Sequence, residues 1–248
     1  MEFLEWLKTT KKRNGELLSE KSSSNYNNGL NEVVKIALNN NYIDKDLRDM
    51  SLYELDLAIS KIMVWQVFID MNLKGHYMYS NSLKKYRCFK YLQTDKYKDE
   101  IKVEEQILKD ESLDATTKEM VIKARIGQGS FRNQLMKKYD GKCIITNVST
   151  PQVLIASHIK PWAVCENSKE RLSVNNGILL SGTYDRLFDS GLMTFNFDGS
   201  IKTSTMITEE DAKILNINDK KKIYNINYND EMEYYLDYHH KYIFVDKY

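Results

Sequence analysis

The distribution of apolar residues changes at about residue 126, and this change limits the folds open to the chain. Before that point, apolar side chains recur at helical spacing, as in Leu30, Val33, Val34, Ala37 and Leu38. After it, the apolar stretches shorten to "KCIIT", "VLIASHI" and "NNGILL", each bounded by turn residues. Stretches this short are typical of strands. The sequence therefore predicts an α+β protein that is helical in its first half and mixed in its second.

The helical pattern of the first half ends in a highly charged stretch with little that could form a core. Within the helical part, Ser51 precedes a periodic segment and Glu54 follows three residues later, which is the pattern of a capping box. We expect a helical domain over residues 1–95, a charged linker over 96–120 and a second domain over 121–248.

The second domain is predicted to contain short elements in close succession. A helix is expected at "SFRNQLMKKYD", strands at "KCIIT", "VLIASHI" and "NNGILL", a short helix at "YDRLFDSG", a hairpin at "LMTFNFDGSIKTS" and a last helix at "NDEMEYYLDYHHKYIF". Gly191 is expected to end the short helix, and Asp198 with Gly199 to form the hairpin turn.

The bulk composition indicates a folded protein and leaves nucleic acid open as a partner. Hydrophobic residues make up 42% of the chain and charged residues 29%, the balance of a soluble globular protein. A net charge of +1 neither favours nor excludes nucleic acid, so a basic surface would have to be local. Neither a signal peptide nor a run of 18 apolar residues occurs, which predicts a cytoplasmic protein without membrane contact.

The three cysteines, Cys88, Cys143 and Cys165, are widely spaced. They form no CxxC pair, so we expect reduced thiols and no structural zinc.

His158 is the first candidate for chemistry. It lies in "ASHIKPW", at the end of an apolar strand and just before Pro161 turns the chain away. Histidine has an unperturbed pKa of about 6.5, which suits a general base at neutral pH. Taken alone, a histidine here is more often a hydrogen-bonded structural residue than a base.

Three oxygen-bearing side chains follow His158. Asn176 lies in "NNGILL", and Asp185 and Asp189 lie four residues apart, which places both carboxylates on one face of a short helix. Hard oxygen ligands suit Mg²⁺ or Mn²⁺. Taken singly, the aspartates also fit a solvated helix face, and Asn176 fits a turn.

The order of these features resembles that of a known family. The patterns "QxxFRxxL", a cysteine opening a strand, "HIKPW", "NNGILL" and "LFDxGL" follow one another within residues 127–195. Together they resemble the HNH endonuclease domain of bacterial restriction enzymes, and the tail extends the resemblance over 121–248. The resemblance implies a ββα-metal finger, in which two strands and a helix hold one divalent cation against the scissile phosphate.

The resemblance also implies a role for each site residue by its position. His158 would be the general base that activates water, and Asn176 would either ligate the metal or fix the loop behind the base. Asp185 stands where many members have the last histidine of the motif, Asp189 is the aspartate of "LFD", and both would face the metal. One Mg²⁺ or Mn²⁺ per site would act as a Lewis acid.

Residues beside the motif carry further expectations. Ser157 stands where many members have an acidic or histidine ligand, which weakens the expected metal site. Lys160 is a candidate phosphate contact, and Arg132 is either a second one or part of a structural ion pair.

A basic stretch in the first half is a candidate for DNA binding. On a helix, Lys84, Arg87 and Lys90 share a face that either follows a phosphate backbone or is an ordinary solvated face. The order of helices resembles the core-binding domain of tyrosine recombinases and of some HNH restriction enzymes, which favours the first interpretation.

The sequence thus predicts a DNA endonuclease, either a type II-like or a modification-dependent restriction enzyme, that acts on double-stranded DNA. A single finger cleaves one strand, so a homodimer is expected. Two other functions stay open. One is a DNA-binding regulator with weak catalysis on the same scaffold, and the other is a nonspecific toxin or phage nicking nuclease.

Overall fold

The computed structural model describes residues 1–94, 129–217, 223 and 228–246. The predicted linker at 96–120 and the expected start of the second domain lie outside these described residues.

Residues 1–94 form the helices α1 (Phe3–Thr9), α2 (Glu20–Asn39), α3 (Leu52–Ile62), α4 (Gln66–Lys74) and α5 (Met78–Gln93). The buried face of α2 includes Leu30, Val33, Val34 and Ala37, as its apolar spacing predicts. The capping box at the start of α3 is confirmed. The Ser51 side chain accepts from the backbone N–H of Glu54, and the Glu54 carboxylate accepts from that of Ser51.

Helix α5 lies at the centre of the molecule. Every side chain from Ser80 to Phe89 is buried, including the charged ones, although the helix is amphipathic by sequence. Helices α2 and α3 pack against it, and the C-terminal helical turn covers another part. A helix that is buried on all sides must find partners for its polar groups inside the protein.

In the described part of the second half, the first element is helix α6, which includes residues 129–138. The elements after it are β1 (Leu154–His158), α7 (Ser168–Leu172), β2 (Gly177–Ser181), α8 (Gly182–Asp189), β3 (Met193–Phe195), β4 (Ile201–Thr203), α9 (Glu209–Ile214) and α10 (Asp230–Tyr238), which continues as a π-helical turn at His239–Ile243.

Strands β1 and β2 pair antiparallel, with Leu154 opposite Ser181 and His158 opposite Gly177. Helix α8 follows β2 directly, so these elements form a ββα unit. Strands β3 and β4 form the predicted second hairpin. The predicted short helix, hairpin and last helix are therefore confirmed.

The strand predicted at "KCIIT" is wrong, because residues 142–146 form a turn. The N–H of Asn147 donates to the carbonyl of Cys143, and the N–H of Cys143 donates to the carbonyl of Val148. Asn147 has a φ of 59°, the left-handed region in which asparagine is favoured. The segment thus closes on itself, and the N–H of Ile144 donates to the Leu179 carbonyl of β2.

Glycine is required where α8 ends. Gly191 has a φ of 79°, and a Cβ there would collide with the carbonyl oxygen of Ile243. Gly191 ends α8, as predicted, and its lack of a side chain also lets the C-terminal turn pack against the end of this helix.

Specific contacts join the two halves. The Lys84 ammonium donates to the His240 carbonyl at 3.1 Å, and Arg186 donates to the Leu92 carbonyl at 3.2 Å. Within the described part of the chain, no helix is both long and apolar enough to cross a membrane.

Candidate active site

His158 is the last residue of β1, and its imidazole is held on two sides. The ring stacks on Phe131 of α6 with centroids 4.2 Å apart and an interplanar angle of 9°. Its Nε2 lies 2.9 Å from the carbonyl oxygen of Arg171. Because a carbonyl oxygen only accepts, Nε2 carries the proton and the lone pair of the neutral ring is on Nδ1. In the neutral ring, Nδ1 is therefore the acceptor nitrogen.

Asn176 is fully buried and connects the two strands beyond their paired residues. Its Oδ1 accepts from the Lys160 N–H at 2.8 Å, and its Nδ2 donates to the carbonyls of Lys160 and Glu170 at 3.2 and 3.1 Å. Of the two roles predicted for Asn176, these bonds are those of a residue that fixes the loop behind the base.

Asp185 and Asp189 both lie on α8, as predicted. Asp185 is buried, and Asp189 is half-buried at the last position of the helix. The Asp189 carboxylate accepts from the Ser157 hydroxyl at 3.3 Å and from the Tyr91 hydroxyl at 3.4 Å. Ser157 immediately precedes His158, so β1 and α8 contact each other at the candidate site.

Lys160 is held inside the protein by side-chain partners. Its ammonium donates to Glu170 at 2.8 Å and to the Tyr234 hydroxyl at 3.2 Å, and only 3% of the residue is exposed. Burial lowers the pKa of Lys160, but the hydrogen bonds and charge attraction of Glu170 and Tyr234 together raise it above its usual value. The ammonium is thus charged and already neutralised by Glu170, which differs from the expected open phosphate contact.

Arg132 connects α6 to the turn before β1. Its guanidinium donates to the carbonyls of Leu154 and Pro151 at 2.7 and 2.8 Å. These contacts of Arg132 are with backbone carbonyls. The sequence had predicted either a phosphate contact or an ion pair for this residue.

The basic face predicted for α5 is largely inside the molecule. Lys84 and Arg87 are buried at the contact with the second half, and Lys90 is half-buried with its ammonium 3.0 Å from the Arg48 carbonyl. Burial lowers the pKa of Lys84 to about 8, whereas Asp56 keeps Arg87 charged by raising its pKa against the effect of burial. The spacing that groups these residues is correct, but the face is covered and not solvated.

The chemistry of the donor set fits a cation that needs few protein ligands. Among the described residues, no three histidine, cysteine or acidic side chains are grouped as metal ligands. Asp185 and Asp189 nevertheless share one face of α8, and the Asp189 carboxylate lies beside the Ser157 hydroxyl. Mg²⁺ is commonly bound by one or two carboxylates, with waters and substrate phosphates completing its shell. Two carboxylates are therefore enough for this ion and too few for a closed structural site.

The ββα unit, with a histidine at the end of its first strand and two carboxylates on its helix, agrees with the comparison against known families. Residues 143–196 match the HNH endonuclease family. This HNH segment contains His158, Asn176, Asp185 and Asp189, and it supports an HNH family for this part of the chain. A comparison with curated proteins gives no match.

The HNH segment covers a minority of the chain and leaves the helical half outside it. The resemblance of that half to a recombinase core-binding domain stays a prediction. The sequence also gave no indication of Tyr91 and Asp56, which lie at or near the candidate site through α5 and α3. Tyr91 lies one helical turn after Arg87, and this spacing is the sequence feature that could have indicated a role for Tyr91.

Proposed function

We propose that the protein is a metal-dependent DNA endonuclease that hydrolyses phosphodiester bonds as a type II-like or modification-dependent restriction enzyme. The observation that carries the proposal is the imidazole of His158. It lies at the end of β1 in the HNH segment, where its Nε2 donates to a backbone carbonyl, which makes Nδ1 the acceptor nitrogen of the neutral ring. An anchored neutral imidazole is what a general base requires.

In the proposed reaction, Nδ1 of His158 takes a proton from water while the water oxygen attacks the phosphorus. The bond from phosphorus to the 3′ oxygen then breaks. Asn176 keeps the loop behind His158 in place through its bonds to Lys160 and Glu170. Asp185 and Asp189 would hold one Mg²⁺ or Mn²⁺, which when bound supplies charge stabilisation at the phosphate.

The remaining parts of the proposal concern DNA contact and assembly. Lys90 and Arg132 are the partly exposed members of the predicted DNA-binding set, and we assign phosphate contacts to them. The enzyme would act on double-stranded DNA as a homodimer in the cytoplasm.

Cleavage of supercoiled plasmid in Mg²⁺ tests the base. His158→Ala should lower the cleavage rate by at least about 100-fold, the usual contribution of a general base. His76→Ala is the matched control, because His76 is exposed and lies on the helical half. Equal cutting by wild type and His158→Ala would refute the assignment.

Ser157 favours one alternative, a DNA-binding regulator with weak catalysis. It occupies an expected ligand position, and its hydroxyl instead donates to Asp189. Under this alternative the wild type binds DNA without cutting it, and Ser157→Asp gains Mg²⁺-dependent cleavage. A wild type that cuts phage DNA into discrete fragments excludes both the regulator and the nonspecific nuclease, whereas a smear or nicked circles would indicate the latter.

A further inference from the structure

Arg87 on α5 links the helical half to the end of α8. Its Nε and Nη2 donate to the two carboxylate oxygens of Asp56 at 2.6 and 3.0 Å, and its Nη1 donates to the main-chain carbonyl of Asp189 at 2.7 Å. The Arg87 and Asp56 side chains are only 4% and 5% exposed. Asp56 thus orients a guanidinium whose Nη1 contacts the last residue of α8.

The position of this contact on α8 is favourable. The last carbonyls of a helix have no partner within the helix and carry partial negative charge, so a cation there is stabilising. Arg87 supplies both the donor and the charge at Asp189. The main chain of Asp189 is therefore fixed by a group from the other half of the protein.

Tyr91 contacts the same residue through its side chain. It lies four residues after Arg87, on the same face of α5, and its hydroxyl donates to Oδ2 of Asp189 at 3.4 Å. Ser157 donates to Oδ1 from the opposite strand at 3.3 Å. These bonds are longer than that of Arg87 to the main chain, so the carboxylate is oriented from two sides while its backbone is held firmly.

We propose that Arg87 and Tyr91 are positioning residues for the nuclease site and that α5 of the helical half completes it. Arg87 fixes the end of α8, and Tyr91 orients the Asp189 carboxylate. This inference rests on the proposed function in one respect, namely that Asp189 helps to hold a divalent cation.

Mn²⁺ binding without DNA tests the inference, with the free ion measured by electron paramagnetic resonance. Tyr91→Phe removes one hydroxyl and keeps the ring, and it should raise the Mn²⁺ dissociation constant by about tenfold, as expected for a residue that orients a ligand. Tyr86→Phe is the matched control, because its buried ring on the same helix packs against Phe3. It should bind Mn²⁺ as the wild type does.

Arg87→Lys keeps the charge and loses the two-pronged bond to Asp56. It should also weaken Mn²⁺ binding, and melting curves in chelator report whether it folds. If Arg87→Lys does not fold, the Mn²⁺ dissociation constant of Tyr91→Phe alone tests the inference.

Mn²⁺ binding by Tyr91→Phe equal to that of the wild type would overturn the inference, whatever happens to its melting temperature. A wild type that binds no Mn²⁺ would overturn it as well. A wild type that binds Mn²⁺ but cuts no DNA would refute the proposed nuclease function, while the dissociation constants would still decide the role of Tyr91.

Discussion

At the scale of single residues, burial separates two histidines that have similar neighbours. His158 stacks on Phe131, and His239 stacks on Phe188 with centroids 3.9 Å apart. His239 is buried, its Nε2 donates to the Phe188 carbonyl at 3.0 Å, and its Nδ1 accepts from Thr194 at 3.0 Å. Both of its nitrogens are thus used inside the protein, whereas the half-buried His158 lies at a strand end. The bonds of His239 are those of a structural residue, and His158 is the candidate for the proposed base.

The pH dependence of stability should report on His239. Burial lowers its pKa well below the ordinary 6.5, so the folded protein keeps it neutral while the unfolded chain takes up a proton below that pH. The stability that neutral His239 contributes is therefore complete above pH 6.5 and is lost as the pH falls. We expect the free energy of unfolding to decrease by up to about 1.4 kcal/mol per pH unit for this one proton.

Urea unfolding between pH 7 and pH 5.5 measures this slope. His239→Gln should flatten it, with a residual slope from His240, whose pKa burial also lowers. The exposed His76→Gln should keep the wild-type slope. An unchanged slope in His239→Gln would show that other groups take up the proton.

Residue order and type were sufficient to predict the candidate site but not the environment of its neighbours. His158, Asn176, Asp185 and Asp189 follow from a motif whose spacing reflects the local ββα geometry. The burial of Lys84 and Arg87 depends on which distant segment covers α5, and helical periodicity carries no information about that. A covered basic face and a solvated one have the same sequence pattern.

At the scale of elements, the start of β2 packs against α6 at a point where only glycine fits. A Cβ at Gly177 would lie 2.5 Å from the Phe131 ring and 2.7 Å from Leu135. Gly177 pairs with His158 across the strands, and Phe131 is the ring on which His158 stacks. The packing of α6 on β2 thus also sets the place of the imidazole.

Gly177→Ala should therefore affect stability and activity together. Overpacking at this point should lower the free energy of unfolding by about 1–3 kcal/mol. It should also reduce DNA cleavage, because Phe131 must move away from its place under His158. Urea unfolding and plasmid cleavage measure the two effects.

Gly182→Ala is the matched control for this change. Gly182 begins α8, and the nearest atom to its new Cβ would be Ile155 Cδ1 at 3.8 Å. Alanine is the better helix former by up to about 1 kcal/mol, so stability should be equal or higher. Full activity in Gly177→Ala would mean that Phe131 does not position His158.

The prediction of a strand at "KCIIT" failed because local composition does not show which segments pair. Its composition is that of a strand, but the left-handed Asn147 and the bond from Asn147 to Cys143 close a turn before a ladder can form. Strand β1 has the same apolar character and finds a partner in β2 along its whole length. Available pairing, more than propensity, decided which apolar stretch became a strand.

At the scale of the whole molecule, the two halves share α5. Its cations bond to the His240 and Asp189 carbonyls in the second half, while its apolar side chains belong to the core of the first. Separating the halves would leave these buried cations without their carbonyl partners, which is costly, so the halves are not expected to be independent. The ββα unit is thus joined to the helices that precede it through buried polar contacts.

If the protein cleaves both strands of a duplex, as proposed, one copy of the site would not be enough. The described chain contains one ββα unit with one candidate base, His158, and under the proposed function one such site would cleave one strand. Two copies related by a two-fold axis would present a site to each strand. We therefore expect the linear plasmid product to depend on protein concentration more steeply than the nicked product.

A titration of enzyme on supercoiled plasmid in Mg²⁺ measures both products, and light scattering on the same samples gives the oligomeric state. Nicked circles should accumulate below the concentration at which dimers form, and linear DNA should appear above it. Mixing wild type with an excess of His158→Ala should shift the products towards nicked circles, because mixed dimers have one working site. Linear product formed by a monomer, in a proportion that dilution and mixing do not change, would contradict the dimer.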